Sequence, residues 1–175
     1  IRKAKPYRQR LTAETRGRIN DRISIHERPQ VVKERSRIGD WEADIIIGRN
    51  HKQAIVTVVE RKTGLVKMKQ VTKKSAHLVA DAMVNLPTPV RLHVKTITSD
   101  NGKEFSDHKA IKQRLYSGFY FADAYASWQR GTNENTNGLI REYLPKGYDF
   151  RQVSDNEMQD IENKLNNRPR KRLGF

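Results

Sequence analysis

The chain has 175 residues, 35 Lys/Arg against 20 Asp/Glu, a formal net charge of +15 and a pI of about 10.2. It holds no cysteine, which excludes disulfides, thiolate zinc sites and cysteine nucleophiles within it, and no apolar run long enough for a transmembrane helix. A positive charge of this size is tolerated when the partner is a polyanion, so DNA or RNA is the first candidate and a ribosome-associated basic protein the alternative.

The length suits one domain plus an extension. The chain opens on Ile1 rather than Met, as expected of a segment of a longer protein, and its basic start lacks the apolar core of a signal peptide. Residues 1–37 carry 12 Lys/Arg against 4 Asp/Glu and read as a basic arm or linker. One short helix is expected there from Thr12 to about Ile23, with Pro29 ending anything helical before it. Residues 38–175 read as the folded core. Residues 38–48 predict a strand, and Ile45-Ile46-Ile47 predicts burial on both faces. The β-branched run 54–61 predicts a second strand, and residues 65–71, after the Thr63-Gly64 turn, a third. Short connections make these three an antiparallel meander. Ser75 is expected to cap a helix with Leu78, Val79, Ala82, Met83 and Leu86 on one face, stopped by Pro87. A fourth strand is predicted at 93–99, a helix at 103–115, a fifth strand at 118–122 and a helix at 132–144. Ser154-Asp155-Asn156-Glu157 is a capping box that opens a last helix with Met158, Ile161 and Leu165 inward. The order β-β-β-α-β-α-β-α-α describes an α/β fold with a five-stranded mixed sheet flanked by helices, the layout of the ribonuclease H-like fold.

Three carboxylates stand out. Alternation along the first strand puts Asp40, Glu42 and Asp44 on one face, and position alone does not choose among them. Asp44 precedes the triple Ile and is expected nearest the sheet centre, where a carboxylate is costly to bury unless it binds a cation. Asp40 and Glu42 are expected nearer the strand's start and water. Asp100 ends the fourth strand ahead of the Asn101-Gly102 turn. If the first and fourth strands are neighbours, Asp44 and Asp100 approach each other. Glu134 lies near the start of its helix and shares a face with Gly138 and Arg141. Asn133, Asn135 and Asn137 make a poor helix start, and a sequence that breaks local preference there is expected to serve a site. Two Asp on strands and one Glu on a helix suit two Mg²⁺ or Mn²⁺ ions, bound through hard oxygens, that stabilise the attacking and leaving oxygens of an in-line phosphoryl transfer. His26, His51, His77, His93 and His108 show no metal-ligand spacing. Trp128 is expected to pack against the Glu134 helix, the alternative being stacking on a flipped base.

At these residues the chain resembles the catalytic domain of IS30-family insertion-sequence transposases. The motifs are Trp41-Glu42-Ala43-Asp44, Ser99-Asp100-Asn101-Gly102-Lys103-Glu104-Phe105 and Trp128 through Gly138, with Tyr143-Leu144-Pro145-Lys146-Gly147 and Asn167-Arg168-Pro169-Arg170-Lys171 beyond. Any one is weak alone; together they cover roughly residues 25–175. The resemblance implies an Asp-Asp-Glu triad of Asp44, Asp100 and Glu134 on an integrase-like fold, and it selects Asp44 over Asp40. It implies two Mg²⁺ or Mn²⁺ ions, cleavage of double-stranded DNA at transposon ends and strand transfer into target DNA. It further implies a homo-oligomer assembled on DNA, no membrane, and a bacterial cytoplasmic location at the nucleoid. Arg130, Arg141, Lys146, Arg168 and Lys171 are candidate phosphate contacts. The family usually carries helix-turn-helix regions before this domain and continues past Leu173-Gly174-Phe175. Alternatives are a retroelement-type integrase core, a nuclease of the same fold, and a catalytically silent, domesticated DNA-binding protein.

Overall fold

β-Branched and aromatic residues bounded by turns form the expected strands in the computed structural model, which describes residues 19–51, 53–85 and 92–174. The strands are β1 (Asp40–Ile47), β2 (Ala54–Glu60), β3 (Val66–Val71), β4 (Thr96–Ser99) and β5 (Gly118–Phe121). The sheet order is β3-β2-β1-β4-β5. The first three strands pair antiparallel, while β4 and β5 join parallel to β1. The β1/β4 junction is therefore where the meander meets the crossover half of the sheet, the kind of switch point at which such sheets open a crevice.

The helices are α1 (Gln30–Glu34), α2 (Ala76–Val84), α3 (His108–Leu115), α4 (Gly131–Tyr143) and α5 (Asp155–Asn166). The expected helix at 103–115 begins as a separate 3-10 turn over Lys103–Phe105. Leu86 and Pro87, the expected end of α2, lie outside the described residues, as does the start of the helix expected from Thr12. Residues 19–23 are turn and irregular chain rather than helix. Ile19 is buried in the core, and the Ile23 carbonyl accepts from the Phe121 amide. Pro29 precedes a helix, α1, whose Val32 is fully buried. The Ser154 hydroxyl accepts from the Glu157 amide as its motif requires, whereas Ser75 sits at the cap position of α2 with no side-chain bond.

Two apolar cores lie on opposite faces of the sheet. One joins Trp41, Ala43, Val56 and Val58 to α2, α3 and the Phe105, Phe119 and Phe121 rings. The other joins Ile46, Ile55 and Val59 to Ile140 and Leu144 of the α4 end and to Met158, Ile161 and Leu165 of α5. Alternation along β1 thus sends its odd residues to the first core and its even residues toward α4.

Gly39 sets the entry to β1. Its φ is +111°, and a Cβ there would lie 2.3 Å from the His93 carbonyl oxygen. Its own carbonyl accepts from the Lys95 and Thr96 amides, which starts the β1/β4 pairing. Gly39→Ala combines a disfavoured backbone with a clash and is expected to cost at least about 2 kcal/mol, read as a lowered urea midpoint with an unchanged slope.

Candidate active site

The even face of β1 carries an acidic row. Asp40 takes two bonds from the Arg37 guanidinium at 2.9 Å and one from the Thr96 hydroxyl at 2.8 Å. Glu42 pairs with Arg61 and accepts from the backbone amide of Asn133 at 2.8 Å. Asp40 and Glu42 are both fully buried. This reverses the expectation that they sit nearer water than Asp44. The segment 25–37 covers the start of β1, and Arg61, which Glu42 needs as counter-ion, is itself held by the Val32 carbonyl. Burial lowers the pKa of Arg61, and the negative charge of Glu42 opposes that.

The Glu42–Asn133 contact also positions α4. The helix begins after a 3-10 turn over Ser127–Arg130, and no local side chain caps it. A strand carboxylate supplies the missing acceptor, with the favourable sign for a helix N-terminus. The Asn-rich first turns then make sense. Asn137 donates to Asp44 Oδ2 at 3.0 Å, and the Thr57 hydroxyl lies 3.2 Å from the side-chain oxygens of both Asn133 and Asn137. This is a polar docking face between α4 and the sheet.

Asp44 and Asp100 do converge. The parallel register pairs Asp40 with Thr96 and Glu42 with Thr98, and continuing it by two residues sets Asp44 beside Asp100. The Arg130 guanidinium reaches both carboxylates, with Nη1 at 3.1 Å from Asp44 Oδ2 and Nη2 at 3.6 Å from Asp100 Oδ2. Asp44 also accepts from the Ile45 amide at 2.8 Å, and Asp100 from the Gly102 amide at 2.9 Å in a tight turn. A Cβ at Gly102 would press on Glu104 and on Asp100 Oδ1. Burial pushes the Asp44 carboxyl above the ordinary carboxylate range; Arg130 and the Ile45 amide pull it back, and the charge of Asp100 adds to the rise. The Asp44 side chain nevertheless keeps 23% of its surface open, against none for Glu42.

Glu134 stands one helical turn beyond Arg130 on α4 and is exposed. It does not join the two aspartates: among the described residues no three acidic or histidine side chains are close enough to share an ion. The other candidates scatter. Arg141 is half-buried and donates to the carbonyls of Ile47, Leu144 and Pro145, which ties the end of α4 to β1. Lys146, Arg168 and Lys171 are exposed. Arg168 and Lys171 line a groove of about 540 Å³ with Asn135 and Leu139, on a different face of α4 from Glu134. Trp128 is 74% exposed, so the expected packing role fails. Asn133 and Asn137 carried a signal as part of the poor helix start, and both meet the sheet at the site. The flanking residues that sequence reasoning missed are Thr57 and Arg61, which left no local signal.

No protein-family model matches the chain. It is 52% identical over 160 residues to the transposase for insertion sequence element IS4351 of Bacteroides fragilis, across 91% of this chain and 49% of that protein. It is 38% identical over 166 residues to transposase InsI for insertion sequence element IS30A of Escherichia coli K12, across 91% of this chain and 42% of that protein. The chain thus spans about half the length of the curated relatives it matches. Among solved structures, the catalytic core domain of BIV integrase superposes with a TM-score of 0.58 at 21% identity, over 75% of this chain and 86% of that one. A simian T-cell lymphotropic virus intasome in complex with PP2A regulatory subunit B56 gamma gives 0.54 at 17% identity, over 75% and 55%. The curated homologues of this chain are insertion-sequence transposases, those of IS30 elements among them, and its fold is the ribonuclease H-like fold of retroviral integrase cores.

The buried half of the row can be tested without any activity. Glu42→Gln leaves Arg61 uncompensated and is expected to cost about 3 kcal/mol. Arg61→Met in the same chain should recover much of that loss, so that the double-mutant cycle by urea unfolding shows strong coupling.

Proposed function

We propose that this chain is the catalytic domain of an insertion-sequence transposase. On this reading it cleaves double-stranded DNA at transposon ends and transfers strands into target DNA, using two Mg²⁺ or Mn²⁺ ions held by Asp44, Asp100 and Glu134. It acts as a homo-oligomer on DNA, in the bacterial cytoplasm at the nucleoid. The observation that carries the reading is the convergence of Asp44 and Asp100, from adjacent parallel strands, on one cationic group at 3.1 and 3.6 Å. Two hard carboxylates that share a cation at a sheet switch point fit a divalent metal. The kinship with insertion-sequence transposases across 91% of the chain supports the substrate. The net charge of +15 suits a phosphate backbone. No helix among the described residues is long and apolar enough to cross a membrane.

Each residue then has a role. The Ile45 amide and Asn137 hold the Asp44 carboxylate, and the Gly102 amide holds that of Asp100. Both can therefore present fixed oxygens with little reorganisation. Glu134 offers the third carboxylate from the exposed side of α4, and Gly138, with open space where a Cβ would be, leaves room for a substrate backbone. Bound ions would neutralise charge on the attacking and leaving oxygens of an in-line displacement, so no covalent protein nucleophile is needed. Lys146, Arg168 and Lys171 are proposed backbone contacts.

The test is strand cleavage and joining on a labelled duplex with Mn²⁺ or Mg²⁺, run on this chain and on the full-length protein. Asp44→Asn, Asp100→Asn and Glu134→Gln should each reduce the rate at least roughly a thousandfold, about 4 kcal/mol of transition-state stabilisation, while DNA binding persists. Retention of activity by any of the three sinks its assignment, and DNA binding without cleavage by the full-length protein identifies a silent binder. In salt titrations, Arg168→Ala and Lys171→Ala should each lower the slope of log affinity against log salt by about 1.

A further inference from the structure

We infer that Arg130 is a built-in counter-ion that fills the cation position between Asp44 and Asp100, and that a divalent ion must displace it to bind there. The inference rests on the proposed metal site and adds its regulation: the site is held closed by the chain's own guanidinium until that group is competed away.

The geometry separates Arg130 from the other cations of the acidic row. Arg37 and Arg61 serve carboxylates that are fully buried and also bonded to Thr96 or to the Asn133 amide. Arg130 instead spans two carboxylates from different strands, one of them at 3.6 Å. Its Nε is buried with no hydrogen-bond partner among the described residues, and its Nη1 lies a long 3.5 Å from the Ala43 carbonyl. The guanidinium is thus held mainly by the charge of the two aspartates. Its side chain is only 12% exposed, so it fills the gap between them. With that gap filled, Glu134 remains outside, exposed one turn further along α4.

A divalent ion carries twice the charge on a smaller body and binds the same oxygens more closely, so it outcompetes a guanidinium for a carboxylate pair. Once the ion is there, like charge expels Arg130. The backbone permits the move. Arg130 is the junction residue between a 3-10 turn and α4, and its side chain makes no capping bond. The preceding loop is open, with Tyr125 at 90% and Trp128 at 74% exposure. The freed guanidinium then joins this loop at the mouth of the site, where a phosphate can replace the carboxylates it has lost.

The sign of one measurement separates this from a bracing role. Calorimetric titration with Mn²⁺ alone, without DNA, would compare the unmodified chain with Arg130→Gln, Arg130→Met, Arg130→Lys and Asp44→Asn, each first shown to be folded by circular dichroism. Arg130→Gln and Arg130→Met should bind Mn²⁺ about fivefold more tightly or better. Arg130→Lys should stay close to the unmodified chain, and Asp44→Asn should abolish binding. Met keeps the aliphatic stem and stands in if Gln fails to fold. Equal or weaker Mn²⁺ binding by the neutral variants, with the Asp44 dependence intact, overturns the counter-ion role and leaves the metal site standing. Mn²⁺ binding that ignores Asp44→Asn, or none by any variant at millimolar Mn²⁺, overturns the metal site and this inference with it.

Discussion

A row of three carboxylates on one face of β1 is the constraint around which the site is organised. Three negative charges spaced two residues apart cannot be buried without compensation; each would cost several kcal/mol. The compensating groups come from four parts of the chain: the segment before β1, the start of β4, the end of β2 and the start of α4. Asp40 draws Arg37 and the first residue of β4; Glu42 draws Arg61 just past β2 and the N-terminus of α4; Asp44 draws Arg130 and Asn137. The row therefore ties four elements together by charge and hydrogen bonding where the apolar cores do not reach. Burial lessens along the strand, from fully buried carboxylates at its start to a partly open one at Asp44.

The fold supplies the remaining geometry. The β3–α2–β4 crossover returns the chain beside β1, and the parallel register then delivers Asp100 next to Asp44 with no further device. Helix α4 is fixed at both ends and by different forces. Its first turn meets Glu42 and Thr57 through polar groups, while Ile140 and Leu144 anchor its far end in the second core and Arg141 clips it to β1. Between these anchors Glu134, Asn135 and Gly138 face outward on a rigid element. Rigid support beneath exposed functional groups is what precise positioning requires.

Most of the architecture was legible because it is written in local period. The strands at 40–47, 54–60 and 66–71, the apolar face of α2, and the Ser154 cap all follow from patterns spanning fewer than a dozen residues. The reading failed where the deciding contact is distant in sequence. The five residues of α1 carry no period to detect, and the helix expected up to Ile23 gives way to a segment that pairs with β5. The relative burial of Asp40, Glu42 and Asp44 depends on a covering segment and on Arg61, which alternation along β1 cannot report. Arg130 and Arg141 read alike in sequence as basic residues near Glu134, yet one lies between two aspartates and the other serves carbonyls. The pairing of Asp44 with Asp100 was conditional on two strands being neighbours, and the sheet order satisfies that condition. The selection of Asp44 from the row came from family resemblance, and its openness beside two deeply buried neighbours is an independent physical reason for the same choice.

On the proposed function, the surplus of positive charge and the acidic site would pull a nucleic-acid substrate in opposite directions. A phosphate backbone drawn in by a net charge of +15 would meet, at Asp44 and Asp100, two carboxylates that repel it. Repulsion between like charges a few ångströms apart amounts to about 4 kcal/mol at the effective dielectric of a protein surface. A guanidinium between the two carboxylates halves their net charge and lets the approach proceed. Asp40 and Glu42 pose no such problem, since each is neutralised inside the protein before any substrate arrives. The position at which the proposed exchange of cations would occur is thus the one carboxylate of the row that stays partly open, and the openness that would expose it to phosphate would also expose it to metal.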